Sequence, residues 1–352
     1  MDVTLYTNTA LFSDLQHEWN ALVQNSSADQ IFLTYEWQST WWEAYHPGEI
    51  WALAVRDAGG ELVGLAPWFV RVEGAGRRVV RAIGCVDVTD YLEVVARRGY
   101  EADVFEAMAA FIAGHHDAFD DIRLCNVPEA SATVQLLPDV FRRHGFEVEI
   151  TFQEVCPVIA LPDSFEAFVA SLDKKDRHEL RRKLRRAASE DVDWYIVCSQ
   201  RDLNAELEKF LELMAASSAE KALFLRDPAN VTFFRSVVPR IAAAGWLQLT
   251  FLTVRGEPVA TYLNFDYANR VLVYNSGHDS KAHSHLSPGI ILMARVIEHA
   301  IREGREELDF LRGDESYKYD LGAKNTTVYQ VSILPGSDAP TLDRTQGNAT
   351  RV

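Results

Sequence analysis

The sequence predicts an α+β protein built from two copies of one unit, each a mixed, mostly antiparallel sheet flanked by helices. Three observations lead there. The order strand, two helices, three strands, helix, strand, helix, strand reads once over residues 2–152 and again over 193–334, without evident sequence identity between the copies. Each copy contains three consecutive strand-like runs joined by tight turns, which is the pattern of an antiparallel meander. A length of 352 residues, at about 150 per domain, leaves room for two cores.

In chain order, residues 2–7 alternate as a strand, and Leu15, Trp19 and Leu22 then share one helical face. Thr34 is placed to cap a short helix on which Trp37, Trp41 and Tyr45 recur four residues apart. The tryptophans belong either to the core or to a substrate cleft. The runs IWALAVRD, ELVGLAPWFVRV and RRVVRAIG follow as three strands, turned by glycines at 58–60 and 74–76. After the polar segment 87–93, helices over 101–114 and 131–144 alternate with the strands DIRLCNV and FEVEITF. In the second copy DWYIVCS is a strand, 202–218 and 228–243 are helical, and WLQLTFLTV, EPVATYLNFDY and RVLVYNS form the meander. A helix opened by Ser-Pro-Gly, the strand ELDFL, a helix over 315–321 and the strand VYQVSIL complete it. Domains are expected at 1–160 and 161–336, with 337–352 a polar tail.

Composition narrows the function. A hydrophobic fraction of 48% is ordinary for a globular protein, and no run approaches the ~18 apolar residues of a membrane span. The start, MDVTLYTNTALF, lacks a basic region and a long apolar core, so a soluble, cytoplasmic protein is expected. Cys85, Cys125, Cys156 and Cys198 are widely spaced and are expected as reduced thiols. The net charge of −16 argues against a dedicated DNA- or RNA-binding protein. One segment opposes that balance. Residues 164–190 read as a single long helix, and between 174 and 186 eight Lys or Arg face only Asp176 and Glu179, a local net of +6. It is either a solvated face or a grip for an anionic ligand.

Chemistry concentrates in residues 271–318, a strand, loop, helix and strand in which a helix N-terminus meets the strand ends. Such a terminus presents unpaired N–H groups and the positive pole of the helix dipole, and so suits phosphate. His278, His283 and His285 match no common zinc spacing, and no metal is expected.

The element order of each half resembles the GNAT acyltransferase fold. More narrowly, GWLQLTFLTVRGEPVATYLNFDY, YNSGHD, SPGIIL and LDFLRGDESYK resemble the CelD-like branch, as do TYEWQSTWWEAY and VTDYLEV near the N-terminus. The resemblance implies two tandem GNAT-like domains, with acyl-CoA lying between a splayed fourth and fifth strand of the second. Ser287, Gly289, Ile290 and Ile291 would take the CoA pyrophosphate, with Gly289, Ile290 and Ile291 as donors because Pro288 has no N–H. A plain capped helix is the other reading. The usual glycine-rich pyrophosphate loop is reduced here to HLSPG.

Asp314 is the candidate base and Tyr317 the candidate acid for the CoA thiolate; the alternatives are a helix-capping Asp314 and a packed Tyr317. An amine of pKa ~10.4 is about one part in a thousand neutral at pH 7, which is why a base is wanted. Asp309, Arg312 and Lys318, with Asp90 and Tyr91 from the first domain, are the expected acceptor contacts. Asp309 lies in an apolar strand, where a carboxylate is costly unless paired or hydrated.

The implied activity is acyl-CoA-dependent N-acylation of a small-molecule amine, either an amino sugar or another envelope or polysaccharide precursor. Fem-type ligases, which pair two such domains and use aminoacyl-tRNA, are the second enzyme class; the acidic charge argues against tRNA. The non-enzyme alternative is a degenerate GNAT pair that binds rather than transfers. One geometric condition separates these. If strands 271–276 and 307–311 were paired along their full length, there would be no slot for the pantetheine arm.

Overall fold

The computed structural model describes residues 1–85, 88–115, 118–279 and 283–336; the expected tail 337–352 lies outside the described residues. The chain runs β1 (Asp2–Tyr6), α1 (Ala10–Gln24), α2 (Tyr35–Tyr45), β2 (Glu49–Ile50), β3 (Ala52–Arg56), β4 (Leu62–Ala66), β5 (Trp68–Glu73), β6 (Arg77–Ala82) and β7 (Val95–Ala96). It continues with α3 (Glu101–Ala113), β8 (Asp121–Pro128), α4 (Ala132–Gln135), α5 (Leu137–Arg143), β9 (Phe146–Ala160), α6 (Phe165–Ser171), α7 (Lys174–Ala188) and β10 (Val192–Ile196). Then come α8 (Leu203–Ser217), α9 (Ala219–Phe224), α10 (Pro228–Ala243), β11 (Leu247–Val254), β12 (Glu257–Tyr267), β13 (Arg270–His278), α11 (Pro288–Arg302), β14 (Glu307–Asp309), α12 (Ser316–Asp320) and β15 (Lys324–Pro335).

The contacts divide the chain into two compact units. Unit 1 holds residues 1–29, 47–153 and 328 onward; unit 2 holds 30–46 and 154–327. The boundaries fall inside β9 and β15, and helix α2 from the first half of the sequence is part of unit 2.

Unit 1 has the strand order β1-β3-β4-β7 in one sheet and β15-β8-β6-β5-β2 in another. The run ELVGLAPWFVRV, expected as one strand, is two: β4 pairs with β3 and β5 with β6. Pro67 separates them, since a residue without an N–H cannot continue a ladder. The 131–144 helix is likewise divided, into α4 and α5, with Pro138 at the start of the second. The cysteine expectation needs correction. Cys85 and Cys125 form a disulfide, with Cα atoms 6.2 Å apart. Forty residues separate them in sequence, but β6 and β8 pair in parallel with Arg81 opposite Arg123, so the strand ends deliver both thiols to one place. Cys156 and Cys198 are in no disulfide.

Unit 2 has the order β10-β11-β12-β13-β14-β9, antiparallel except for the parallel pair β13 and β14. Helix α11 buries Ile291, Leu292, Val296, Ile297 and Ala300, a 3.6-residue stripe, in a core shared with Leu180, Leu252, Tyr262 and Val271. Each large apolar side chain so buried contributes about 1.5–3 kcal/mol. Elsewhere in the unit, Trp37 of α2 packs edge-on against Phe233, Phe265 and Tyr274 with ring centroids 5.1–5.7 Å apart. Trp37 and Trp41 are therefore core residues, both fully buried. The long helix expected over 164–190 is two helices, α6 and α7. Leu172 takes an extended conformation (φ −65°, ψ 153°) and buries its side chain, and Asp173 restarts the helix as N-cap. Among the described residues no helix is long and apolar enough to cross a membrane.

Candidate active site

The hairpin that builds the site turns at Ala268 and Asn269, both at positive φ, and sets β13 antiparallel to β12. The register shifts between Leu263 and Asn264, which pair with Asn275 and Val273 and so leave Tyr274 as the inserted residue of a bulge. On its other side β13 pairs with β14 over only three positions, Arg270 to Leu272 opposite Glu307 to Asp309. Beyond them β13 continues to His278. The chain after β14 turns away: the Asp309 carboxylate accepts from the Leu311 N–H at 2.7 Å, and Leu311 sits at φ 57°. The Phe310 and Gly313 N–H groups then bond to the carbonyls of Pro157 and Val155 on β9. The two parallel strands therefore splay, and the condition for a slot is met.

A cavity of about 320 Å³ lies along this stretch, lined among others by Tyr262, Ser276, His278, Ser287, Gly289 and Tyr317. Helix α11 points its N-terminus at the cavity. Ser287 is its N-cap at φ 55°, ψ 58°, a left-handed conformation that a non-glycine residue adopts at a cost of about 1–3 kcal/mol. The Ile290 and Ile291 N–H groups bond to the Ser287 carbonyl at 3.0 and 3.2 Å. That corrects the expected donor set. Pro288 has no N–H, and Ile290 and Ile291 are satisfied, so among the described residues Gly289 carries the first-turn donor left for a ligand. A Cβ on Gly289 would meet nothing closer than the Tyr262 hydroxyl at 3.7 Å. Arg186, near the end of α7, donates to the His285 carbonyl at 2.6 Å and ties the loop before α11 to that helix.

Burial raises the Tyr317 phenol, and the Glu315 carboxylate raises it further, so it keeps its proton through the neutral range. Tyr262, fully enclosed, is raised for the same first reason, and its hydroxyl donates to the Gly289 carbonyl at 3.4 Å. His278 is pushed the other way, by burial and then by the Lys221 charge, with Asp279 opposing, and is neutral at pH 7.

Of the residues expected from sequence, Ser287, Gly289, Ile290 and Tyr317 meet at the cavity. Ile291 does not, being 1% exposed in the core. Asp314 is exposed and does not line the cavity. Asp309 and Lys318, expected to contact substrate, are engaged internally. Asp309 holds the Leu311 turn, while the buried Lys318 Nζ donates to the carbonyls of Phe310, Arg312 and Gly313 and pairs with Glu315 at 2.8 Å. Arg312 is half-buried. Asp90 and Tyr91 lie in unit 1, Tyr91 buried and Asp90 half-exposed.

Sequence reasoning did not single out Tyr262, Ser276, Gly277 or Lys221. Tyr262 and Ser276 are cross-strand partners, a relation set by register. Gly277 is required by close approach: a Cβ there would lie 2.4 Å from the Met214 N and 2.5 Å from the Leu213 carbonyl carbon of α8.

Residues 174–319 match a family model described as an acetyltransferase (GNAT) domain. This segment is similar to a GNAT domain. The match starts at α7, spans the cavity and ends within α12, so all of the cavity residues fall inside it. No curated protein matches the chain. Among solved structures it is similar to FemX (TM-score 0.65, 12% identity, 94% of this chain and 97% of that one). It is also similar to a conserved protein of unknown function from Bacteroides thetaiotaomicron (TM-score 0.58, 14% identity, 95% and 100%). A third is the C-terminal domain of a putative lysylphosphatidylglycerol synthetase from Agrobacterium fabrum (TM-score 0.55, 11% identity, 93% of each). At these identities the likeness is one of fold alone, and it covers both units.

Proposed function

We propose that the protein is an acyl-CoA-dependent N-acyltransferase whose acceptor is an amine on a small or envelope- or polysaccharide-related molecule, in the manner of the CelD-like branch it resembles. The splay of β13 from β14 after three paired residues carries this reading, because it leaves an extended arm room beside free strand edge. Gly289 offers an N–H at the helix N-terminus, where an anionic or polarised oxygen of the donor is favoured. His278, neutral and on the cavity wall, takes the role first expected of Asp314: it accepts the proton of the attacking amine. Tyr317 holds a phenolic proton that donates to the departing sulfur. The burial that raises this phenol raises a thiolate beside it as well, so the transfer is less uphill than the shift of the phenol alone implies.

A second reading, a Fem-type ligase using aminoacyl-tRNA, is favoured by the likeness to FemX and by the basic face of α7, where Lys174, Lys175 and Arg181 line a groove. Thermal unfolding with each donor decides. Stabilisation by acetyl-CoA and not by tRNA supports the first reading, with 100-fold excess over Kd giving about 2.7 kcal/mol. Stabilisation by tRNA that vanishes steeply with salt supports the second. Binding of acetyl-CoA without thiol release in the presence of any amine tested would leave a binding protein in place of an enzyme.

A further inference from the structure

Lys221, on the short helix α9, has no part in the chemistry proposed above and is not itself a lining residue, yet it bonds to one, Ser276. Its Nζ donates to the Ser276 carbonyl at 2.6 Å and lies 3.2 Å from the Ser276 hydroxyl. Ser276 lines the cavity, on the part of β13 that has run beyond its β14 partner. The contrast with Lys318 is informative. Both lysines are largely buried, but the Lys318 ammonium has three carbonyls and the Glu315 carboxylate around it, enough to occupy all of its N–H groups. Among the described residues Lys221 has one residue's two oxygens and no directly bonded carboxylate, so one N–H position is left over there. The titratable groups around it are Glu220 on its own helix, Glu315 before α12, and His278 on β13. Glu315 is already paired with Lys318. A buried ammonium so weakly compensated gives up its proton readily: burial pushes Lys221 down to about 8, against the smaller opposing pull of the two glutamates.

We propose that Lys221 is a self-acylation site: its side-chain amine, held at the slot by Ser276, accepts the acyl group of a bound acyl-CoA. This rests on the acyl-CoA reading of the cavity. In the step the Nζ lone pair attacks the thioester carbonyl carbon, the C–S bond breaks, and an amide forms. CoA leaves as the thiolate and recovers the proton that Nζ loses, with neutral His278 as the carrier. No oxidant or further reactant is needed. The acyl-lysine product has lost its charge and two of its three N–H donors, so its hold on Ser276 weakens to one neutral hydrogen bond at most, and it places an acyl chain beside the cavity wall. Exposed lysines such as Lys174 and Lys324 lack this placement and serve as internal controls.

The test is peptide mapping by mass spectrometry of the full chain after incubation with acetyl-CoA, alongside thermal unfolding with the same compound. The expected result is one acetyl group on Lys221, ahead of Lys174 and Lys324, suppressed by excess CoA and absent from Lys221→Arg. Its rate should rise about tenfold between pH 7 and pH 9 and level off, whereas a free lysine of pKa ~10.4 gains about a hundredfold over the same span. Acetyl-CoA that stabilises the fold while Lys221 stays unmodified overturns self-acylation alone. Absence of both effects overturns the acyl-CoA reading too. Labelling that follows exposure, or that CoA does not suppress, overturns the proposal by showing ordinary solution chemistry.

Discussion

Glu93 allows a quantitative check on unit 1 that is independent of any substrate. The side chain is 5% exposed, and its carboxyl accepts a short hydrogen bond from the Ser131 hydroxyl. Burial pushes it up from 4.5 to about 7, the hydrogen bond pulling only weakly the other way. Between those two values the folded chain retains a proton that the unfolded chain has released. Stability therefore falls as pH rises from 4.5 through about 7 and is flat above it. At about 1.4 kcal/mol per unit, the gap is worth about 3 kcal/mol, a large share of the 5–15 kcal/mol that holds a typical domain. Glu93→Gln keeps the size and an acceptor for Ser131 but cannot ionise. Urea unfolding at pH 5, 6, 7 and 8 should show wild-type stability dropping relative to the variant, and the variant ahead by pH 8. Parallel stability curves for the two proteins would refute the reasoning.

Three other outcomes follow from the geometry. Tyr317→Phe should lower acyl transfer about 10- to 1000-fold while leaving stabilisation by acetyl-CoA intact, a difference read by comparing turnover with thermal unfolding. Gly277→Ala should cost about 1–3 kcal/mol in denaturant unfolding, because the added methyl meets the α8 backbone, which cannot yield as a flexible side chain would. Lys318→Met should destabilise by about 2–4 kcal/mol, through carbonyls left without a donor, and Lys318→Arg should not restore the loss because a planar fork does not fit a ring of three carbonyls.

The sheet architecture was legible because it rests on local signals: alternation in the strands, the apolar stripe of α11, and turn residues at 58–60 and 268–269. The slot was legible only as a condition. Whether β13 and β14 stay together depends on where pairing stops, which no single strand's residues encode. Asp309 was rightly read as costly in an apolar strand, and part of its compensation is a backbone N–H two residues on, a partner that a periodicity reading does not show. Lys221 went unread because AEKALF, six residues between two longer helices, has too few turns to show a period. The disulfide was hidden for a related reason, its two cysteines being neighbours only through a parallel strand pair.

Helix α2 carries one more consequence, for how such a chain can be cut and recombined. Tyr45 bonds to the Asn230 side chain at 2.8 Å, and Arg240 reaches the Thr40 hydroxyl at 2.8 Å and Glu43 at 2.7 Å, so α10 depends on residues encoded some 190 positions earlier. A gene truncated to its second half would encode the GNAT-like segment without the wall of aromatic rings that α2 brings to it. The two halves are therefore not exchangeable cassettes: each is complete only in the presence of a strap from the other. Shuffling between relatives should succeed at surface turns such as 256–257, and fail at the midpoint that the repeated element order suggests.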